Sequence, residues 1–186
     1  VELRDSVAVT VKYNGFLNSG NDVEGLGYDP VAHQLLLACK ASAGVDQAQN
    51  PVKAIYAFDL WEKKLLGSPR YCIGLQQVND YLQTHPLLRQ LEQLEAFFSP
   101  GESTFGFSPS ALAVQPQTRH LYILSSVGKI LMVIDQSGRI LHIEKLKKKV
   151  HPQPEGICFD PAGNLYISNE GKKGRATIQR FNFLNQ

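Results

Sequence analysis

The sequence predicts an all-β fold of repeated antiparallel units, interrupted by one α-helical insertion. Three observations predict it. First, three segments are versions of one another: "VEGLGYDPVAHQLLLACK" at 23–40, "PSALAVQPQTRHLYILSS" at 109–126 and "PEGICFDPAGNLYISNE" at 154–170. Each has a short alternating apolar strand, a proline soon after, a polar turn and a second apolar strand, and such alternation is the period of a half-buried β-strand. Second, Glu24, Ser110 and Glu155 align, as do Pro30, Pro116 and Pro161, and Leu35, Leu121 and Leu165; the aligned starts lie 86 and 45 residues apart. A period near 45 with short strands marks the blades of a β-propeller. Third, the longer step is close to two periods, and a helical pattern fills the surplus.

In chain order, "SVAVTVKYNG" alternates cleanly without a preceding partner, so residues 1–16 are expected to be the outer strand of an earlier blade. Residues 22–75 form a blade, with "KAIYAFDLWEKKLLG" supplying a further strand and turn. Residues 76–107 are the helical insertion. Within it "NDYLQTHPLLRQLEQLEAFF", 79–98, places Leu87, Leu88, Leu91 and Leu94 at helical spacing, with Pro86 in a first turn. Residues 108–149 form the next blade and 152–186 the last, which runs out after "ATIQRFNF" without a fourth strand. The expected architecture is a partial β-propeller of about three four-stranded blades. Open inner edges invite aggregation, so completion is expected from blades ahead of Val1 or from a second chain, a dimer.

The chain has 186 residues, 43% hydrophobic, with a net charge of +2. That is enough for one sizeable domain and ordinary for a globular protein. No long basic arm points to nucleic acid. No apolar run reaches the roughly 18 residues of a membrane span. Cys39, Cys72 and Cys158 are odd in number, lack Cys-x-x-Cys spacing and each sit in an apolar stretch. They are expected to be small buried hydrophobes rather than a zinc site or disulfide framework, although one pair is able to meet in space.

The start of a blade's first strand and the end of its second lie at one rim of the channel. Glu24 and Lys40, Ser110 and Ser126, and Glu155 and Glu170 are therefore expected to ring its mouth. Glu24, Glu155 and Glu170, beside Asn169 and loop carbonyls, suit Ca²⁺, a hard cation that takes six to eight oxygens. Gly25 and Gly156 would let the backbone approach a ligand. The competing expectation is that Glu24 or Glu155 pairs with Lys40. Asp29 and Asp160, at the opposite end, are turn formers. His33, His85, His120 and His142 pair with no nucleophile motif, and no Gly-x-Ser-x-Gly or phosphate loop occurs. His151, in "HPQPEG", lies in the loop leading to Glu155 and is read as a solvated histidine or a rim acid–base group. "EKLKKKVH", 144–151, is read as a lysine cluster blunting an outer strand.

At "NDVEGLGYDP", "FSPSALAVQP" and "QPEGICFDPAGNLYISNEG" the chain resembles the SdiA-regulated (YjiK-like) family of bacterial propeller proteins. The resemblance implies a six-bladed ring, of which this chain matches the C-terminal half. It also implies a cell-envelope location: periplasmic, extracellular or membrane-anchored, with any membrane tether outside this chain. Related propellers place metal or substrate at this rim, which favours Glu24, Glu155 and Glu170 as metal ligands; Ser110 departs from that pattern. Ser110, Ser126, Lys40, His151 and Asn169 would form the ligand-binding rim. Two functions are carried forward. One is a non-catalytic module, calcium-stabilised, binding a small molecule or protein at its top face. The other is a metal-dependent hydrolase of phosphate esters or lactones, with His151 moving protons.

Overall fold

The structure, a computed structural model, describes residues 10–44, 51–88, 91–99, 101, 105–171 and 174–183. The first sheet contains β1 (Val23–Asp29), β2 (Gln34–Cys39), β3 (Val52–Asp59), β4 (Lys64–Leu65) and β5 (Tyr71–Gly74) in antiparallel pairing. β4 and β5 share the outer position along β3. Between them the chain bulges, yet the Leu66 and Arg70 amides still reach the Ala57 and Ile55 carbonyls at 2.9 and 2.8 Å. The blade's fourth strand is therefore one interrupted strand. The second sheet runs β6 (Ala111–Val114), β7 (Leu121–Ser125), β8 (Ile130–Ile134) and β9 (Ile140–Lys145). The third has β10 (Pro154–Phe159), β11 (Leu165–Asn169) and β12 (Thr177–Phe181).

The sheets fan out from their first strands, since β1 and β10 both lie against β6. This is the blade arrangement of a β-propeller, as the repeat predicts. The repeated turns have a common chemistry. Asp29 Oδ1 accepts from the Val31 and Ala32 amides, Asp59 Oδ1 from Trp61 and Glu62, and Asp160 Oδ1 from Asn164. In the middle blade Gln115 Oε1 accepts from the Gln117 amide at 2.7 Å. A side-chain acceptor followed by proline at 30, 116 and 161 sets a tight turn.

The seam between the first two blades is close. A Cβ added to Gly27 would lie 2.8 Å from the Leu112 carbonyl oxygen. Asp29 Oδ2 meets Arg119 Nη2 across it at 3.4 Å. The second seam buries Ile167 with Ala111, Leu124 and Leu131, and Tyr122 meets Phe159 edge-on at 4.9 Å.

Sheets that radiate from a common axis leave a wedge between their outer strands. Here α1 (Leu75–Thr84) and α2 (Leu91–Phe98) fill it. Val78, Tyr81, Leu82, Leu94 and Phe98 join one core with Ile73 of the first blade and Ile140 and Ile143 of the second. α1 also covers the free edge of β9: the Tyr81 hydroxyl donates to the Leu141 carbonyl at 3.3 Å, and Gln77 Nε2 donates to the Gly138 carbonyl at 2.7 Å. This is edge protection by a covering helix. No helix among the described residues is long and apolar enough to cross a membrane.

Several expectations differ from the structure. The insertion is two helices, broken at His85–Pro86, because proline lacks an amide proton and bars helical angles from the residue before it; His85 has φ −126° and ψ 58°. Leu87 is thus 96% exposed, and Leu94, not Leu87, is in the core. Residues 10–16 form no strand, and instead Tyr13 lies 5.3 Å from Phe58 and Phe16 5.2 Å from Tyr56; residues 1–9 lie outside the described residues. The cysteines are all free; Cys39 is buried, but Cys72 and Cys158 are exposed, on outward-facing strand positions. The lysine triplet 147–149 occupies the turn after β9, so only Lys145 is on the strand.

Candidate functional site at the channel mouth

Antiparallel pairing puts the start of each first strand beside the end of the second. Val23 pairs with Cys39, and Pro154 with Asn169. Glu24, Lys40, Glu155 and Glu170 therefore share one end of the sheets. The Lys40 ammonium binds Glu24 Oε1 at 2.8 Å and lies 3.9 Å from Asp22 Oδ2. Its pKa is raised, first by the hydrogen bond to Glu24, which outweighs an opposing burial effect, and further by the charges of Glu24, Asp22 and Glu155. Among the described residues, Lys40 is thus a cation that contacts acids of the first blade and feels one of the third.

Glu155 and Glu170 are held differently. The Gln153 amide nitrogen donates to Glu155 Oε1 at 2.8 Å and to Glu170 Oε2 at 2.6 Å. One neutral amide thereby clamps two carboxylates, leaving their like charges close together. The Glu170 amide donates to the Gln153 carbonyl, which fixes the two segments. Among the described residues, no group of three or more His, Cys, Asp or Glu side chains converges as a metal site would.

Ser110 is buried, and its hydroxyl donates to the Leu124 carbonyl at 3.2 Å while accepting from the Ser126 amide at 3.1 Å. It ties β6 to β7 and turns away from the mouth; Ser126 takes part through its backbone. Gly25 is buried at the blade seam, where a Cβ would lie 2.9 Å from that of Ala38, and a Cβ on Gly156 would lie 2.5 Å from Ser168 Oγ. These glycines serve sheet packing rather than ligand approach.

His151 is not a solvated loop residue. It is 3% exposed, its amide donates to the Lys147 carbonyl, and its ring stacks on Phe181 with centroids 5.9 Å apart. Asn169, also 3% exposed, ends β11. His151 Nδ1 and both polar atoms of the Asn169 amide are buried without a protein hydrogen-bond partner. Native interiors pair such groups almost without exception, so this corner between the second and third blades holds unmet hydrogen-bonding capacity. Period-2 alternation from buried Ile167 already points Asn169 inward. Nothing in the sequence signals that His151 folds under. Asp22 and Gln153 are rim residues that the repeat comparison misses, because both lie just before the aligned strands.

Burial lowers the His151 pKa, opposed by the neighbouring Asn169 amide, which is close enough to act on the ring but does not meet it in good hydrogen-bond geometry. The unfolded imidazole takes its proton near pH 6.5. Between the folded and unfolded values the unfolded chain binds more protons, so stability rises with pH there. The His151 contribution is fully present above about pH 6.5 and is lost as pH falls below it. Urea midpoints measured from neutral to mildly acidic pH should fall less steeply for His151→Gln than for the wild type. Identical slopes would assign the acid sensitivity elsewhere.

No curated protein matches the chain. Among solved structures, a luciferin-regenerating enzyme aligns at TM-score 0.51 with 11% identity, covering 87% of this chain and 45% of its own. Hydrazine synthase from Kuenenia stuttgartiensis aligns at TM-score 0.51 with 14% identity, covering 93% of this chain and 36% of its own. The chain spans less than half the length of either, and likeness at this identity concerns the fold. The model of the SdiA-regulated family matches residues 99–172, which run from the end of α2 through the second blade to just past Glu170. Over residues 99–172 the chain is thus similar to the SdiA-regulated family, and its fanned sheets are the blades of a β-propeller.

Proposed function

We propose that the protein is a non-catalytic binding module whose channel mouth takes a positively charged ligand, with Ca²⁺ the simplest candidate. The observation that carries this reading is the Gln153 clamp. It holds Glu155 and Glu170 side by side, with a neutral amide bonded to both. Two carboxylates at such range repel, and a cation between them relieves the repulsion. Asn169, next to Glu170 in sequence, carries a buried, unpaired carbonyl oxygen of the kind Ca²⁺ accepts. The hydrolase is the second reading: among the described residues, His151 Nδ1 meets no hydroxyl or thiol that it would activate.

Calorimetric titration of the protein with Ca²⁺ tests this. Binding is expected, with affinity reduced at least about tenfold in Glu155→Gln/Glu170→Gln, a loss of about 1.4 kcal/mol or more. An absence of heat, together with an unfolding temperature that ignores Ca²⁺, would sink the reading.

A further inference from the structure

The same end of the second blade carries a basic patch that the channel mouth does not use. Lys129 lies in the β7–β8 turn and Lys145 ends β9; Lys147, Lys148 and Lys149 follow in the next turn. The two loops are joined, since the Leu146 amide donates to the Lys129 carbonyl at 2.8 Å. Lys145 sits with its ammonium 5.3 Å from the Phe97 ring centroid, which fixes it toward α2. Burial, with the like charge of Lys129 added, lowers its pKa. The two lysines are therefore close enough to act on each other as like charges. Among the described residues, none of these five lysines has a carboxylate within 4.0 Å.

Two apolar side chains flank the patch. Val127 is 50% exposed and Val150 41% exposed, each within two residues of a patch lysine. Five clustered lysines with protruding valines on adjoining loop tips suit a flat anionic surface that admits small apolar groups. Each lysine near such a surface contributes about 1 kcal/mol. Nucleic acid is less well served. The aromatic ring at the patch, Phe97, is half-buried beneath Lys145 and offers no stacking face.

We propose that this lysine patch docks the second blade onto an anionic lipid surface. The lysine ammoniums meet headgroup phosphates, and Val127 and Val150 enter the interfacial layer. This proposal is independent of cation binding at the channel mouth.

The test is co-sedimentation of the protein with phosphatidylcholine vesicles and with equal-parts phosphatidylcholine–phosphatidylglycerol vesicles. Binding is expected only to the anionic vesicles, weakening steeply as salt rises. Lys147→Gln/Lys148→Gln/Lys149→Gln should lower partitioning by about two orders of magnitude. Val127→Ser/Val150→Ser should lower it less, with the salt dependence kept. The wild-type salt series stands as evidence even if the triple variant folds poorly. Failure to sediment with anionic vesicles at low salt would overturn the proposal. So would equal binding to both vesicle types, unchanged partitioning of a folded triple variant, or lysine-dependent capture of single-stranded DNA or polyglutamate without vesicle binding.

Discussion

Replacing Phe98 with alanine lowers the stability of the fold by about 3–5 kcal/mol. Phe98 is fully buried near the end of α2. Its ring lies 5.2 Å from Phe97, 6.2 Å from Phe105 and 6.0 Å from Phe107. Through the shared core it also joins Ile73 of the first blade to Ile130, Met132 and Ile143 of the second. The wedge it fills is set by the divergence of two rigid sheets, so the cavity left by alanine cannot collapse. The cost should sit at the upper end of what such truncations show, and urea unfolding measures it. A loss below about 1 kcal/mol would mean that the helices are a loose appendage and not part of the propeller core.

Gly27→Val should cost about 3 kcal/mol, the upper end for overpacked sites. Any Cβ here collides with Leu112 of the neighbouring blade, on both its side chain and its carbonyl oxygen. A side chain can rotate away, but a carbonyl held in a strand cannot, so the first two blades must part. Parting them also stretches the Asp29–Arg119 pair, in which Asp29 is 7% exposed. Gly67→Ala is the control, because no atom lies within 4 Å of its added Cβ. Equal stability of the two variants would show that the seam is not close-packed.

The architecture was legible because its signals are local. Alternating strands, turn acceptors and a period near 45 residues each arise within one hairpin or one blade. The helical insertion was legible in kind but not in phase. The leucine run 87–94 set the expected inner face, with Pro86 read as a first-turn residue, while the inner face of α1, Val78, Tyr81 and Leu82, combines an aromatic and a β-branched residue with one leucine. The strand positions of the acids were legible, since Glu24 and Glu155 fall in β1 and β10 and Glu170 follows β11. Of their surroundings, the Glu24–Lys40 pair was legible, but the rest was not. The Gln153 clamp and the burial of His151 depend on how the loop between β9 and β10 folds back, which no periodicity encodes. Ser110 shows the same limit: its place in the repeat was right, but its hydroxyl satisfies the Leu124 carbonyl instead of facing the channel.

At the channel mouth, Lys40 already meets a carboxylate of the first blade. Its ammonium is held by Glu24 and feels Asp22 and Glu155. If the rim is a cation site, this side chain competes with the ligand. Calorimetric titration of Lys40→Gln with Ca²⁺ is then the most direct measurement. Removing the tethered charge should tighten Ca²⁺ binding at least about tenfold relative to the wild type, a gain of about 1.4 kcal/mol or more. Unchanged or weaker binding in the variant would contradict the account.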